Sequence, residues 1–167
     1  MNLKDLKCVS ENINIDEYIE FREEVKRAMN HPEWLGDFTK EELMEMLNNN
    51  SKIWIYYLND KPVCSMMIIP STEKSAMKLG VSNYNYENII DYGPMMVGIK
   101  YVGNKLQYQM LKELELYCIL KGYKYAVSTI HPENIYSINN LIKDEFTLIG
   151  EKEFSRGMRK IYLKKFN

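Results

Sequence analysis

Residues 91–146 constrain this chain more than any other stretch, because they run strand, turn, helix, strand and helix with little slack between them. Residues 92–99 read as a strand with Met95, Met96 and Val97 at its centre. The turn Tyr101-Val102-Gly103-Asn104-Lys105-Leu106-Gln107 leads straight into a helix. Leu106, Met110, Leu111, Leu114 and Cys118 recur at helical spacing and define its apolar stripe. Gly122 ends that helix, and residues 123–130 return as a strand through Val127 and Ile130. His131-Pro132-Glu133-Asn134 then opens a second helix. A strand feeding a helix through a tight turn aims several backbone N–H groups, and the positive end of the helix dipole, at one place. Such a place receives anions, phosphate most often.

The flanking sequence predicts a mixed α/β chain. Residues 4–10 alternate weakly as a first strand. Tyr18, Ile19, the stem of Arg22, Val25, Ala28 and Met29 keep helical period until His31-Pro32 stops them. Thr39-Lys40-Glu41-Glu42 is a capping box for the next helix, whose buried stripe is Leu43, Met46 and Leu47. Two strands, residues 52–58 and 63–69, flank the turn Asn59-Asp60-Lys61-Pro62 and form a hairpin. A short helix over residues 71–79 precedes Gly80 and an irregular stretch rich in Tyr and Asn. Two further strands, residues 146–152 and 158–166, close the chain. At 167 residues, with no internal repeat or low-complexity linker, one domain over 1–167 suffices.

Composition narrows the functional classes. A formal net charge of −1 gives no electrostatic case for nucleic acid or an anionic membrane. No apolar run approaches the ~18 residues of a membrane span, and residues 1–11 lack a signal-peptide core. Cys8, Cys64 and Cys118 have no C-x-x-C spacing, so they read as reduced, cytoplasmic cysteines. With two histidines a hundred residues apart, no metal site is expected.

Two motifs carry a resemblance. His131-Pro132-Glu133-Asn134 with Ser137, and the turn from Tyr101 to Gln107, resemble the coenzyme A-binding core of the GCN5-related N-acetyltransferase (GNAT) superfamily. There a strand leads to an Arg/Gln-x-x-Gly-x-Gly/Ala turn, a helix, a strand and an Asn-bearing helix. The later motif matches position for position. The turn keeps Gly103 but has Val102 in place of the usual Arg or Gln, and Lys105 in place of the central glycine. Lys105 has two readings: its ammonium supplies a phosphate with the charge missing at Val102, or its stem crowds the loop.

The resemblance implies the GNAT fold, a mixed, largely antiparallel sheet flanked by helices. It also implies direct transfer of an acetyl group from acetyl-CoA, as co-substrate, to a primary amine of a small molecule or peptide. The implied coenzyme-binding residues are Met96, Val97, Val102, Gly103, Asn104, Lys105, Leu106, Gln107 and Asn134. The Val97 N–H is the implied oxyanion donor. The family's general-acid tyrosine falls here on Leu141, and Tyr136 lies in a different helical phase.

His131 and Asp91 are the catalytic candidates. His131 is a base by its ordinary pKa or simply a helix cap. Asp91, at the start of the central strand, faces an acceptor amine or is an ordinary strand-end carboxylate. Asn134 bonds the coenzyme or only its own helix. Met66, Met67, Met95 and Met96 read as core before they read as a cofactor box. His31, Trp34 and Asp37 sit on the loop between the first two helices, where loops carry function. Glu17, Glu20, Glu23 and Glu24 form a solvated face or attract a cationic acceptor. Two other readings remain open: a GNAT-fold module that binds a ligand without catalysis, and a transferase for a longer acyl-CoA. The C-terminal strands offer an edge for a homodimer.

Overall fold

The periodicities settle into eight strands and five α-helices in a computed structural model that describes residues 1–167. In chain order they are β1 (Lys7–Val9), α1 (Ile15–Ala28), α2 (Lys40–Asn48), β2 (Lys52–Leu58), β3 (Lys61–Pro70) and α3 (Glu73–Lys78). Then follow β4 (Ile89–Tyr92), β5 (Met96–Val97), α4 (Leu106–Leu120), β6 (Tyr125–Ile130), α5 (Ile135–Lys143), β7 (Thr147–Phe154) and β8 (Gly157–Lys165). The chain divides into two compact units. One comprises Met1–Ile69 with Gly93–Met110, the other Pro70–Tyr92 with Leu111–Asn167.

In the first unit β1, β2 and β3 pair antiparallel, and β5 pairs antiparallel with β3. The hairpin between β2 and β3 turns at Asn59 and Asp60, whose φ values of 50° and 58° suit a two-residue turn matched to strand twist. Helix α1 starts where the Asn14 side chain accepts the N–H groups of Asp16 and Glu17. Helix α2 starts at the expected capping box: the Glu42 N–H donates to Thr39 Oγ1 at 3.1 Å, and the Thr39 N–H to Glu42 Oε2 at 2.7 Å. One face of the strands, with Ile53, Ile55, Met67 and Met96, packs against Tyr18, Phe21 and Val25 of α1 and Leu43 of α2. Met67 and Met96 are closed core residues, as the sequence suggests.

The segment expected to be one strand over residues 92–99 is instead two short strands with an interruption. Pro94 has no N–H to give a ladder, so pairing cannot run through it. The Gly93 N–H still reaches the Met67 carbonyl at 2.9 Å, and pairing with β3 resumes at Met96. A Cβ added at Gly93 would sit 3.2 Å from Met67 Cγ, so glycine lets the two strands close there without moving that side chain. Asp91 therefore lies third in the four-residue strand β4, not at the opening of a long one. The first strand is also shorter than expected, since Leu3–Asp5 winds into a 3₁₀ turn.

In the second unit the strand order is β4-β6-β8-β7. The β4–β6 pair is parallel, with Asp91 opposite Val127, while β6–β8 and β7–β8 are antiparallel. Ile89, Val127 and Ile161 share a face with Ala76, Leu79 and Val81 of the α3 region. The predicted stripe of α4, from Leu106 to Cys118, is buried throughout. Gly122 follows α4 with φ +87°, a conformation that suits glycine.

Candidate functional site

The first unit assembles the predicted coenzyme turn on a single path from β5 to α4. In β5, Met96 pairs with Ser65 and Val97 with Cys64. The Gly98 N–H donates to the Val63 carbonyl at 2.8 Å. Antiparallel ladders alternate, so Met96 and Gly98 bond to β3 while the N–H and C=O of Val97 point to the opposite edge. The backbone N–H expected at Val97 is thus directed away from the ladder.

Beyond Gly98 the chain forms a 3₁₀ turn at Ile99–Tyr101 and reverses through two left-handed residues, Gly103 at φ +92° and Lys105 at φ +58°. The second value explains why a glycine is usual at the Lys105 position: the backbone is left-handed there, which costs an L-residue with a Cβ about 1–2 kcal/mol. Lys105 accepts the conformation nonetheless. Its ammonium is exposed with no ion-pair or hydrogen-bond partner, and so is that of Lys100. A Cβ built on Gly103 meets nothing within 4 Å, so the turn stands open at that point. Leu106 is buried and seats the first turn of α4, while Val102 is 62% exposed. Asn104 is used internally, its Nδ2 donating to the Tyr101 carbonyl at 3.0 Å. Gln109, which the sequence reading overlooked, donates through Nε2 to the Asn104 carbonyl at 3.1 Å and accepts the Leu3 N–H on Oε1 at 2.8 Å. A glutamine one turn into a helix has no marker in sequence that tells its bracing role from solvent exposure.

Asp91, His131 and Asn134 belong to the second unit. Strand alternation puts Asp91 on the same face as Ile89 and beside Val127, among apolar neighbours. The residue is partly exposed but its carboxyl is buried with no hydrogen-bond or ion-pair partner, and desolvation pushes its pKa up to about 7. His131 lies four residues past Val127, about 13 Å further along at the rise of a parallel strand, so it does not form a dyad with Asp91. Its Nδ1 accepts the Glu133 N–H at 3.2 Å. In a neutral imidazole that leaves the proton on Nε2, so neither nitrogen is poised to take another. The Asn134 Oδ1 caps α5 by accepting the Ser137 N–H at 3.2 Å, which leaves its two amide N–H donors for another acceptor. Leu141 is buried and Tyr136 is 81% exposed on α5.

On the loop after α1, Asp37 is held by Arg22 Nη2 at 3.1 Å and Lys26 Nζ at 2.5 Å, while buried Arg22 also donates through Nη1 to the Phe38 carbonyl at 2.6 Å. The His31 ring stacks on Trp34 at 4.4 Å. Asp37 is thus a structural anchor for this loop. No group of three or more His, Cys, Asp or Glu side chains is arranged to hold a metal ion, and no helix is long and apolar enough to cross a membrane.

The sequence matches no protein-family model and no curated protein. Solved structures are more informative. An acetyltransferase of the GNAT family from Streptococcus pneumoniae superposes with a TM-score of 0.70 at 16% identity, over 96% of this chain and 100% of its own. An N-acetyltransferase from Staphylococcus aureus gives 0.70 at 15%, over 96% and 99%. The ribosomal-protein-S18-alanine N-acetyltransferase from Escherichia coli gives 0.70 at 8%, over 96% and 94%. The strand order within each unit, the turn into α4 and these superpositions lead to one conclusion: this chain has the fold of the GNAT acetyltransferases.

Proposed function

We propose that the protein is an acetyl-CoA-dependent N-acetyltransferase acting on a primary amine of a small molecule or peptide. The observation that carries this reading is the edge of β5: the Val97 N–H is turned away from β3, and the chain then runs through an open left-handed turn into the start of α4. The turn fits the pyrophosphate of coenzyme A as substrate. Gly103 leaves open space, Lys100 and Lys105 supply unpaired positive charge, and the start of α4 favours an anion. Acetyl-CoA brings an activated thioester, and the Val97 N–H is suited to hold the oxyanion as the amine adds to its carbonyl.

The amine arrives mostly as ammonium at neutral pH and must lose a proton. Asp91 is the proposed base on its chemistry alone: its carboxyl, raised to about 7 by burial, has no hydrogen-bond or ion-pair partner. His131 is the weaker candidate because its Nδ1 is already engaged. With Leu141 buried where the family carries tyrosine, the thiolate leaves without an acid from that helix. The reading extends to a single domain over 1–167, in keeping with superposition over 96% of the chain. Three free cysteines support a reducing, cytoplasmic setting.

Val102 and Leu141 favour a second reading, a coenzyme site that has lost transfer chemistry. Titration calorimetry with acetyl-CoA and free CoA separates the two when followed by acetylation of a panel of amines. Micromolar binding with turnover supports the transferase. Binding that appears only after Val102→Arg with Lys105→Gly supports the degenerate site, and no binding to either protein sinks both.

A further inference from the structure

Gln109 joins two segments that are far apart in sequence. Its Oε1 accepts the Leu3 N–H at 2.8 Å, and its Nε2 donates to the Asn104 carbonyl at 3.1 Å and to the Met1 carbonyl at 3.3 Å. Leu3 is 3% exposed, so this strand-leading segment is anchored by burial and is a firm support. The carbonyl that Gln109 holds belongs to the peptide between Asn104 and Lys105. The N–H of that same peptide is carried by Lys105, the residue at φ +58°. Fixing the carbonyl fixes the plane of the peptide, and with it the direction of the N–H, because the peptide unit is rigid.

The Asn104 carbonyl is the one polar group of this peptide that a side chain holds directly. The Gly103 side has open space, and the backbone bonds nearest it, from Val102 N–H to Ile99 O and from Asn104 N–H to Tyr101 O, are both 3.4 Å long, with the Asn104 side chain adding a 3.0 Å bond to the Tyr101 carbonyl. The left-handed conformation of Lys105 is costly for a residue with a Cβ, so a bond that fixes the peptide before it offsets part of that cost. We infer that Gln109 is a positioning residue for coenzyme binding: tied to the Leu3 segment, it holds the Asn104–Lys105 peptide in the orientation that presents the turn's N–H groups to the ligand. This rests on the reading of the turn as the coenzyme site.

The test compares the wild type with Gln109→Leu and Gln109→Glu. Glu keeps an acceptor for the Leu3 N–H but loses the donor to Asn104, so it isolates the turn-holding bond and guards against a leucine variant that fails to fold. The readouts are CoA affinity by calorimetry, KM for acetyl-CoA against kcat, and amide exchange at residues 103–106 in the free protein. The loss of one such hydrogen bond predicts CoA binding weakened about three- to tenfold in both variants. KM should rise with kcat unchanged, and exchange should quicken at the turn but not in β2 or β3. A merely structural role would lower the melting temperature without moving affinity or the exchange pattern, and that result overturns the inference while leaving the coenzyme reading intact. If the wild type itself binds no CoA, the reading and the inference fall together.

Discussion

A methyl group at Gly98 would land 3.3 Å from the Val63 carbonyl oxygen and 3.3 Å from Tyr101 Cδ2, in a strand end that cannot back away without losing its bond to Val63. Gly98→Ala is expected to cost about 1–3 kcal/mol, the range for small overpacking changes, and urea unfolding will measure it. At Asp91 the question is pH. Its folded pKa is raised to about 7 from an ordinary 3.8, so the folded state holds the proton more tightly than the unfolded one. The contribution of Asp91 to stability is therefore full at acid pH, is lost as pH rises through the interval from about 4 to 7, and is absent above it. Asp91→Asn removes that fall. The difference between the two profiles is on the order of a few kcal/mol. The same substitution tests the proposed base: kcat/KM should lose its rise near pH 7 and drop by about 10²–10⁴. An unchanged pH–rate profile would remove Asp91 from the mechanism.

Elements α4, α5 and β8 meet at a closed ring of charges in the second unit. Lys112 Nζ lies 2.5 Å from Asp144 Oδ1 and 3.0 Å from Glu115 Oε2, while Lys164 Nζ lies 2.7 Å from Glu115 Oε1 and 3.3 Å from Asp144 Oδ2. Asp144 and Lys164 are 0% and 3% exposed, so solvent cannot replace a missing partner. Lys164→Met should destabilise by about 1–3 kcal/mol, because Asp144 and Glu115 each keep Lys112 but lose the second of their two cations. That loss should be insensitive to added salt, because buried pairs are poorly screened. The ring has no signature in the sequence, because its members are scattered from 112 to 164 and no local pattern links them. The capping box at Thr39 and the stripe of α4 were legible because they are local periodic signals. The break at Pro94 had a signal in Gly93-Pro94, but the apolar run across Met95–Val97 outweighed it. Of the candidate site, the turn was legible through resemblance. The left-handed Lys105 and the Gln109 brace were not, since neither backbone sign nor a contact with residue 3 is written in local pattern.

For the molecule as a whole, a working coenzyme site predicts stabilisation by mass action. At a CoA concentration of 100 times its Kd the folded state gains about 2.7 kcal/mol, which for a chain of this size raises Tm by about 5–10 °C. Differential scanning fluorimetry with CoA, and with adenosine as a control lacking phosphates, measures it. No shift at millimolar CoA would contradict the coenzyme reading. The charge ring has one more consequence, for the chain's choice among wrong structures. Lys164 stands opposite Ala126 in the β6–β8 ladder, between Leu163 and Lys165. A slip of one residue would turn Lys164 to the other face and bring an apolar or a differently placed side chain against Asp144. Apolar contacts alone tolerate such a shift, because one branched side chain replaces another at modest cost. The ring does not, because Asp144 and Glu115 would keep only Lys112 and share a single cation. The ring thus sets a charge-pairing cost against misalignment, in addition to whatever the hydrophobic core imposes.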